Sequence, residues 1–313
     1  MRSFASPPLR MEEGEPLCHA ARAVKFVTSL AFSDPAQIGA LARACDAAGF
    51  DAVALSDHVV HPERIETPYP YTPDGTPRWQ PFTAWPDPWV TAGYVAAATE
   101  RLRVVTSIYV LPLRHPVLVA KEIGTAAVLS GGRVALGVGV GWMREEFEIA
   151  GARFERRGAR TDEMIDVLRK LWAGGWVEHR GEFYAFPRVE MSPAPGDVPI
   201  YAGGLSEAAL RRAARHCDGW ISDLHTTEEL RRIVAHLHEL RADGPRTGRP
   251  FAVLASCLDA VKLDDYRRLE ALGVTHVQTM PWIFYGGATE DLQQRVDGIR
   301  RFGDEVAGPL AGP

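Results

Sequence analysis

Asp57 and His58 stand side by side where an apolar run ends, and His58 is the one imidazole beside a carboxylate at the end of an expected strand. An imidazole titrates at about 6.5, which suits His58 to proton transfer at neutral pH with Asp57 fixing its orientation. A satisfied hydrogen-bonded turn would use the same two residues. A second pattern, RVALGVGVGW at 133–142, alternates glycine with valine. A dinucleotide loop would need G-x-G-x-x-G. Counted from Gly137 the third glycine falls on Trp142, and counted from Gly139 it falls on Arg144, so the spacing excludes that loop. Residues without Cβ there leave two readings: a flat ring lying against bare backbone, or dense packing in a bulged wall. In a third stretch, IYAGGLSEAALRRAARHCDGW, a strand runs into Gly203-Gly204 and a helix opens near Ser206. Helix-start amides carry partial positive charge and could cradle a phosphate; a tight turn needing positive φ is the other reading.

Other chemistries lack their residues. Ser107 and Ser222 have no activated-serine context, and neither G-x-S-x-G nor a P-loop occurs. The four cysteines, Cys18, Cys45, Cys217 and Cys257, are scattered with no CxxC pair, which reads as free thiols in a reducing, cytoplasmic setting. His216, His236 and His238 lie on expected helices without metal-ligand spacing, so no metal site is expected. A site without strong chemistry of its own borrows an organic cofactor.

The elements that must position these residues follow a rhythm. Strand-like runs occur at 24–30, 51–56, 103–110, 133–138, 198–203, 218–222, 251–257 and 275–280, each followed by a helical pattern. Helix starts are readable at Asp34-Pro35, His115-Pro116, Thr161, and the Thr226/Glu229 capping box. Eight strand–helix units predict a (β/α)8 TIM barrel, whose active sites sit at the C-terminal ends of the strands. Two insertions break the rhythm, 59–86 after the second strand and 175–197 before the fifth. The first is rich in proline and aromatics and reads as a substrate-shaping lid or as a packed surface loop.

Residues 1–22 lack the apolar core of a secretory signal and read as an unstructured lead-in, with one barrel domain over 23–306 and a tail at 307–313. A net charge of -5 argues against nucleic acid as a partner, and no apolar run is long enough to span a membrane. A small molecule is the expected partner.

Taken together, GFDAVALSDHVVHPE, YPYTPDG, LPLRHPVLVAKEIGTAAVLSGGRVALGVGVGWMREEFEIAG, RGARTDEMIDVLRKLW and IYAGG with AALRRAARHCDGW resemble the bacterial luciferase-like monooxygenase superfamily, specifically its branch of F420-dependent oxidoreductases. The resemblance covers about Val24 to Gly303. It implies a barrel binding the deazaflavin coenzyme F420, or FMN in the alternative, and commonly a homodimer. It implies a non-proline cis peptide at Ser107-Ile108 behind the cofactor ring. It also places Asp57 at the ring's polar edge with His58, Gly139, Val140 and Gly141 along the cofactor, and Ala202, Gly203, Gly204, Leu205 and Ser206 around its phosphate. His58 and Asp57 would be catalytic, and Trp79, Trp142 and Trp282 would meet the substrate. Relatives that oxidise a sugar phosphate carry an acidic residue where this chain has Trp142, which points to a more apolar or aromatic substrate. The implied activity is hydride transfer with F420; with FMN it would be a monooxygenase using a flavin peroxide, and a non-catalytic flavin-binding barrel is the remaining reading.

Overall fold

All eight expected strand runs form strands, most of them apolar runs buried on both faces, as parallel sheets require. The computed structural model describes residues 24–311. In chain order the strands are β1 (Lys25–Ser29), β2 (Ala52–Leu55), β3 (Arg103–Thr106), β4 (Tyr109–Val110), β5 (Val134–Gly139), β6 (Val177–Arg180), β7 (Ala185–Val189), β8 (Ile200–Gly203), β9 (Gly219–His225), β10 (Ala252–Cys257) and β11 (His276–Thr279). Parallel pairing runs β1-β2-β3-β5-β8-β9-β10-β11 and returns to β1, so the sheet closes into a (β/α)8 barrel. The third stave is split: β3 and β4 both pair with β5, and the break between them falls at Ser107-Ile108.

Alternation sorts the core into two layers. Val27, Ala54, Val105, Ala135, Ile221 and Leu254 fill the barrel, while Phe26, Val53, Val104, Leu136, Ile200 and Val253 face the helices. Helix starts follow their caps. Asp34 accepts from the amide of Ala36, Asp87 from those of Trp89 and Val90 ahead of the helix Pro88–Ala98, and His115 Nδ1 from that of Val117 ahead of Pro116–Leu129. The Thr226/Glu229 capping box forms. Thr161 is different. It lies inside the helix Arg157–Trp172, where its hydroxyl donates to the carbonyl of Arg157 at 2.8 Å, so it satisfies itself within a turn rather than capping one.

The insertion at 175–197 carries the antiparallel hairpin β6–β7, whereas 59–86 has neither helix nor strand. At the other end the helix Leu292–Phe302 continues through Gly303–Ala307 into Gly308–Ala311, and Leu310 is buried in the main core, so much of the expected tail is helical. The expected lead-in, 1–22, lies outside the described residues. No helix among the described residues is long and apolar enough to cross a membrane.

Candidate active site

The C-terminal ends of β2, β3, β5, β8 and β9 share one mouth. At the break in the third stave the Ser107–Ile108 peptide is cis. The side chain of Ile108 lies across two of the bare positions. A Cβ on Gly139 would sit 2.2 Å from Ile108 Cδ1, and one on Gly203 would sit 2.8 Å from Ile108 Cγ2. Gly137 is tighter still, its Cβ position lying 1.9 Å from the carbonyl oxygen of Thr106 and 2.5 Å from Ile221 Cδ1. Thr106 Oγ1 accepts from the Gly137 amide and donates to its carbonyl, locking the two staves together. The glycine run therefore serves dense packing first, and a ring placed at this mouth would meet Ile108 rather than the backbone of Gly139. Gly141 turns out of β5 at φ +78°, between Phe147 and Val110, and its carbonyl accepts from Arg157 Nε at 2.9 Å. Val140 beside it is half-buried.

Asp57 and His58 point to different partners. Asp57 is buried and takes a bidentate pair from Arg114 at 2.6 and 2.9 Å, plus the amide of Val110 at 2.9 Å. Burial pushes its carboxyl above the ordinary value, against the guanidinium and the amide, which pull it down. Asp57 thus braces the broken third stave. The carboxylate that orients His58 is Glu146, whose Oε2 lies 3.2 Å from Nδ1 and whose Oε1 accepts from the amide of Val59 at 2.5 Å. This corrects the expectation that Asp57 orients the imidazole. Where Glu146 is the acceptor, Nδ1 of a neutral ring donates to it and Nε2 keeps the lone pair.

Residues 59–86 form a strap over the mouth. Its near end is held by the first turn of the helix Arg144–Ile149: Glu146 meets Val59 and Val60, and Glu145 Oε1 accepts from the amides of Glu66 and Thr67 at 2.7 and 2.9 Å. At its far end Arg78 donates to both carboxylate oxygens of Asp223 on β9, at 2.7 and 2.8 Å. Between these ties, rings gather on His58: Trp79 at 4.7 Å, Trp85 at 5.0 Å and Trp142 at 6.4 Å between centroids, with Tyr69 on Trp79 and Trp142. The segment is a ring-bearing cover for this mouth.

At β8 the chain turns through Gly204, φ +108°, and enters the helix Glu207–His216. Ser206 caps it by accepting from the amide of Ala209, while Leu205, Ser206 and Glu207 are exposed. Among the described residues, the only atom a Cβ on Gly204 would approach within 4 Å is the Ala209 Cβ. The earliest amides of a helix have no intrahelical acceptor, so this open turn fits a phosphate-bearing group. Glu207 is paired with Arg211 and His236, which offsets its charge at the helix start. Trp220 Nε1 donates to the Gly204 carbonyl at 3.0 Å and steadies the turn after Ala202, Gly203 and Gly204.

Sequence reading missed Glu145, Glu146, Arg114, Arg78 and Asp223. The signals available were two adjacent acids just past the glycines of β5 and an arginine just past the split third stave. Trp282, an expected substrate contact, lies apart from the ring cluster. It is buried in the main core against Gly298 and beside Arg295, in a place open to it because Gly298 has no Cβ, which would come 2.5 Å from Trp282 Cα.

A sequence model of one family, described as luciferase-like monooxygenase, matches residues 17–302. The chain belongs to the luciferase-like monooxygenase family. Luciferase-like relatives include an uncharacterized protein of Mycobacterium bovis, 38% identical over 270 residues, covering 85% of this chain and 93% of the relative. An F420-dependent glucose-6-phosphate dehydrogenase of Nakamurella multipartita is 34% identical over 60% of this chain and 52% of its own. Among solved structures, the monooxygenase RslO1 from Streptomyces bottropensis superposes with a TM-score of 0.71 at 19% identity, covering 91% of this chain and 99% of that one. The luciferase-like barrel is thus shared by oxidoreductases and monooxygenases.

Proposed function

We propose that this chain is an F420-dependent oxidoreductase that moves a hydride between the deazaflavin and a small apolar or aromatic substrate. The observation that carries the reading is the His58–Glu146 pair set against Trp79, Trp85 and Trp142, a single proton-transfer group in a ring-lined site. The dehydrogenase relative that uses F420 supports it. When bound, F420 supplies the two-electron hydride carrier that no side chain offers. Gly203, Gly204, Leu205 and Ser206, after Ala202, would hold its phosphate, and Ser107, Ile108, Val140 and Gly141 would back its ring, with Gly139 acting only through Ile108, whose side chain takes the space Gly139 leaves bare.

His58 moves the accompanying proton. Where the substrate is an alcohol, in the oxidising direction Nε2 takes its hydroxyl proton, while Glu146 holds the proton on Nδ1 and stabilises the imidazolium that forms. In the reducing direction the same proton returns to the carbonyl oxygen. The strap keeps water from the exchange. Trp142, packed against Tyr69 and near His58, replaces a charged group at the substrate with an indole, which favours apolar or aromatic molecules over a sugar phosphate.

Titrating the purified protein with F420 and with FMN tests the cofactor. Saturable F420 binding with FMN indifferent is the expected result; tight FMN binding with no response to F420 would make the chain an FMN-dependent monooxygenase. A cytoplasmic homodimer completes the proposal, and sedimentation of the purified protein reads the oligomer.

A further inference from the structure

We propose that Arg78 and Asp223 form a latch that closes the strap over the barrel and holds Trp79 against His58. The inference rests on this mouth being the working site, but it requires no particular cofactor or substrate.

The strap leaves the barrel after β2, and β9, which carries Asp223, stands four staves farther round an eight-stave barrel. Residues 59–86 therefore reach across the whole mouth before returning to the helix at Pro88. With neither helix nor strand in it, the strap is held by a few discrete ties. At the near end the Glu146 tie is deeply placed, its side chain 2% exposed, with the Glu145 tie nearer the surface. The far tie is of another kind. The Arg78 and Asp223 side chains are 31% and 25% exposed, so water and ions reach the pair. Its geometry is nonetheless specific: the two guanidinium nitrogens meet two carboxylate oxygens on a strand paired on both sides within the barrel, and Nη2 also donates to the Tyr71 carbonyl at 2.8 Å, folding the strap's tip onto itself.

Trp79 is the next residue, 8% exposed, with its ring 4.7 Å from His58. Where Arg78 is clasped, Trp79 has one place to go. Where the clasp opens, the indole leaves the imidazole and the mouth opens to a small molecule, with the tie at Glu145 and Glu146 acting as the hinge. Asp223 is then a positioning residue that acts through Arg78 and Trp79.

Hydrogen exchange by mass spectrometry reads the latch in the full chain without turnover. In Asp223→Asn, amides of residues 68–80 are expected to exchange about tenfold faster or more, with the barrel strands unchanged. Asp223→Glu, and Arg78→Asp combined with Asp223→Arg, should restore slow exchange. Salt at about 0.5 M should speed exchange in the wild type and leave Asp223→Asn as it is, because only the former has a pair to screen. The His58 ring-proton resonances, displaced by the Trp79 ring current, should move toward those of an exposed histidine in Asp223→Asn. Unchanged exchange in that variant, no recovery in the charge swap, or unmoved His58 resonances would each overturn the proposal. Should Asp223→Asn not fold, Arg78→Gln is read in its place. Loss of the hydride-transfer reading would not touch these measurements, and failure here would leave that reading standing.

Discussion

His58 and Glu146 meet at 3.2 Å although 88 residues separate them, and the same carboxylate holds the first amides of the strap. The proton-transfer group and the cover of the site are thus set by one side chain.

Replacing the imidazole tests its role. His58→Ala should lower turnover by about 10²–10⁴-fold while F420 affinity stays within a few-fold of wild type, since general acid–base work is lost and the phosphate turn is untouched. Turnover per bound cofactor decides it: a collapse of binding with the rate per bound site preserved would remove His58 from proton transfer.

Glu146→Gln keeps the shape but can offer Nδ1 either an oxygen or an amide. A drop in kcat of about tenfold or more is expected with KM changed less, because the imidazolium loses its partner carboxylate. Glu146→Ala should also destabilise the fold by about 1–3 kcal/mol, since the amide of Val59 and the His58 ring lose their buried acceptor. Chemical denaturation measures the second effect and steady-state kinetics the first.

Two glycines should respond in opposite directions. Gly137→Ala drives a methyl into the Thr106 carbonyl and should cost about 3 kcal/mol or more. Gly93, inside the helix Pro88–Ala98, has nothing among the described residues within 4 Å of its Cβ position, and Gly93→Ala should stabilise by about 0.5–1 kcal/mol. Parallel thermal melts suffice.

Arg114→Met leaves Asp57 buried with only the Val110 amide, and should cost about 3–5 kcal/mol near neutral pH. The pH dependence has a definite sign. Burial already raises the Asp57 carboxyl, and without the guanidinium it rises further, so the folded variant binds a proton that the unfolded chain has released. Its stability should therefore be highest below the ordinary carboxylate range and fall as pH climbs through the raised value. Denaturation midpoints of variant and wild type at pH 5 and pH 7, compared as differences, check this.

The barrel was legible because its signals are local. Valine-rich runs such as RVALGV announce strands, and Asp34-Pro35 or Thr226 with Glu229 announce helix starts within four residues. Thr161 misled for the same reason, since a threonine before an apolar face looks like a cap whichever turn it occupies. The partners in the site were not legible. Glu146 for His58, Arg114 for Asp57 and Asp223 for Arg78 are brought together only when the barrel closes, and nothing near each residue signals the pairing. Trp282 shows the converse, since an aromatic just past a strand end looks like a site residue until the glycine opposite gives it a place in the core. Ile108 was expected behind a ring; that it also occupies the space bared by Gly139 and Gly203 depends on a contact among three staves.

The absence of ladder hydrogen bonding in residues 59–86 makes this stretch an exchangeable cassette. Lengthening such a segment costs only about 0.6 kcal/mol per doubling in closure entropy, a small burden for a fold of this size. Descendants of one scaffold could therefore trade the cover for another of different length and lining, and acquire new appetites, while every stave beneath kept its register.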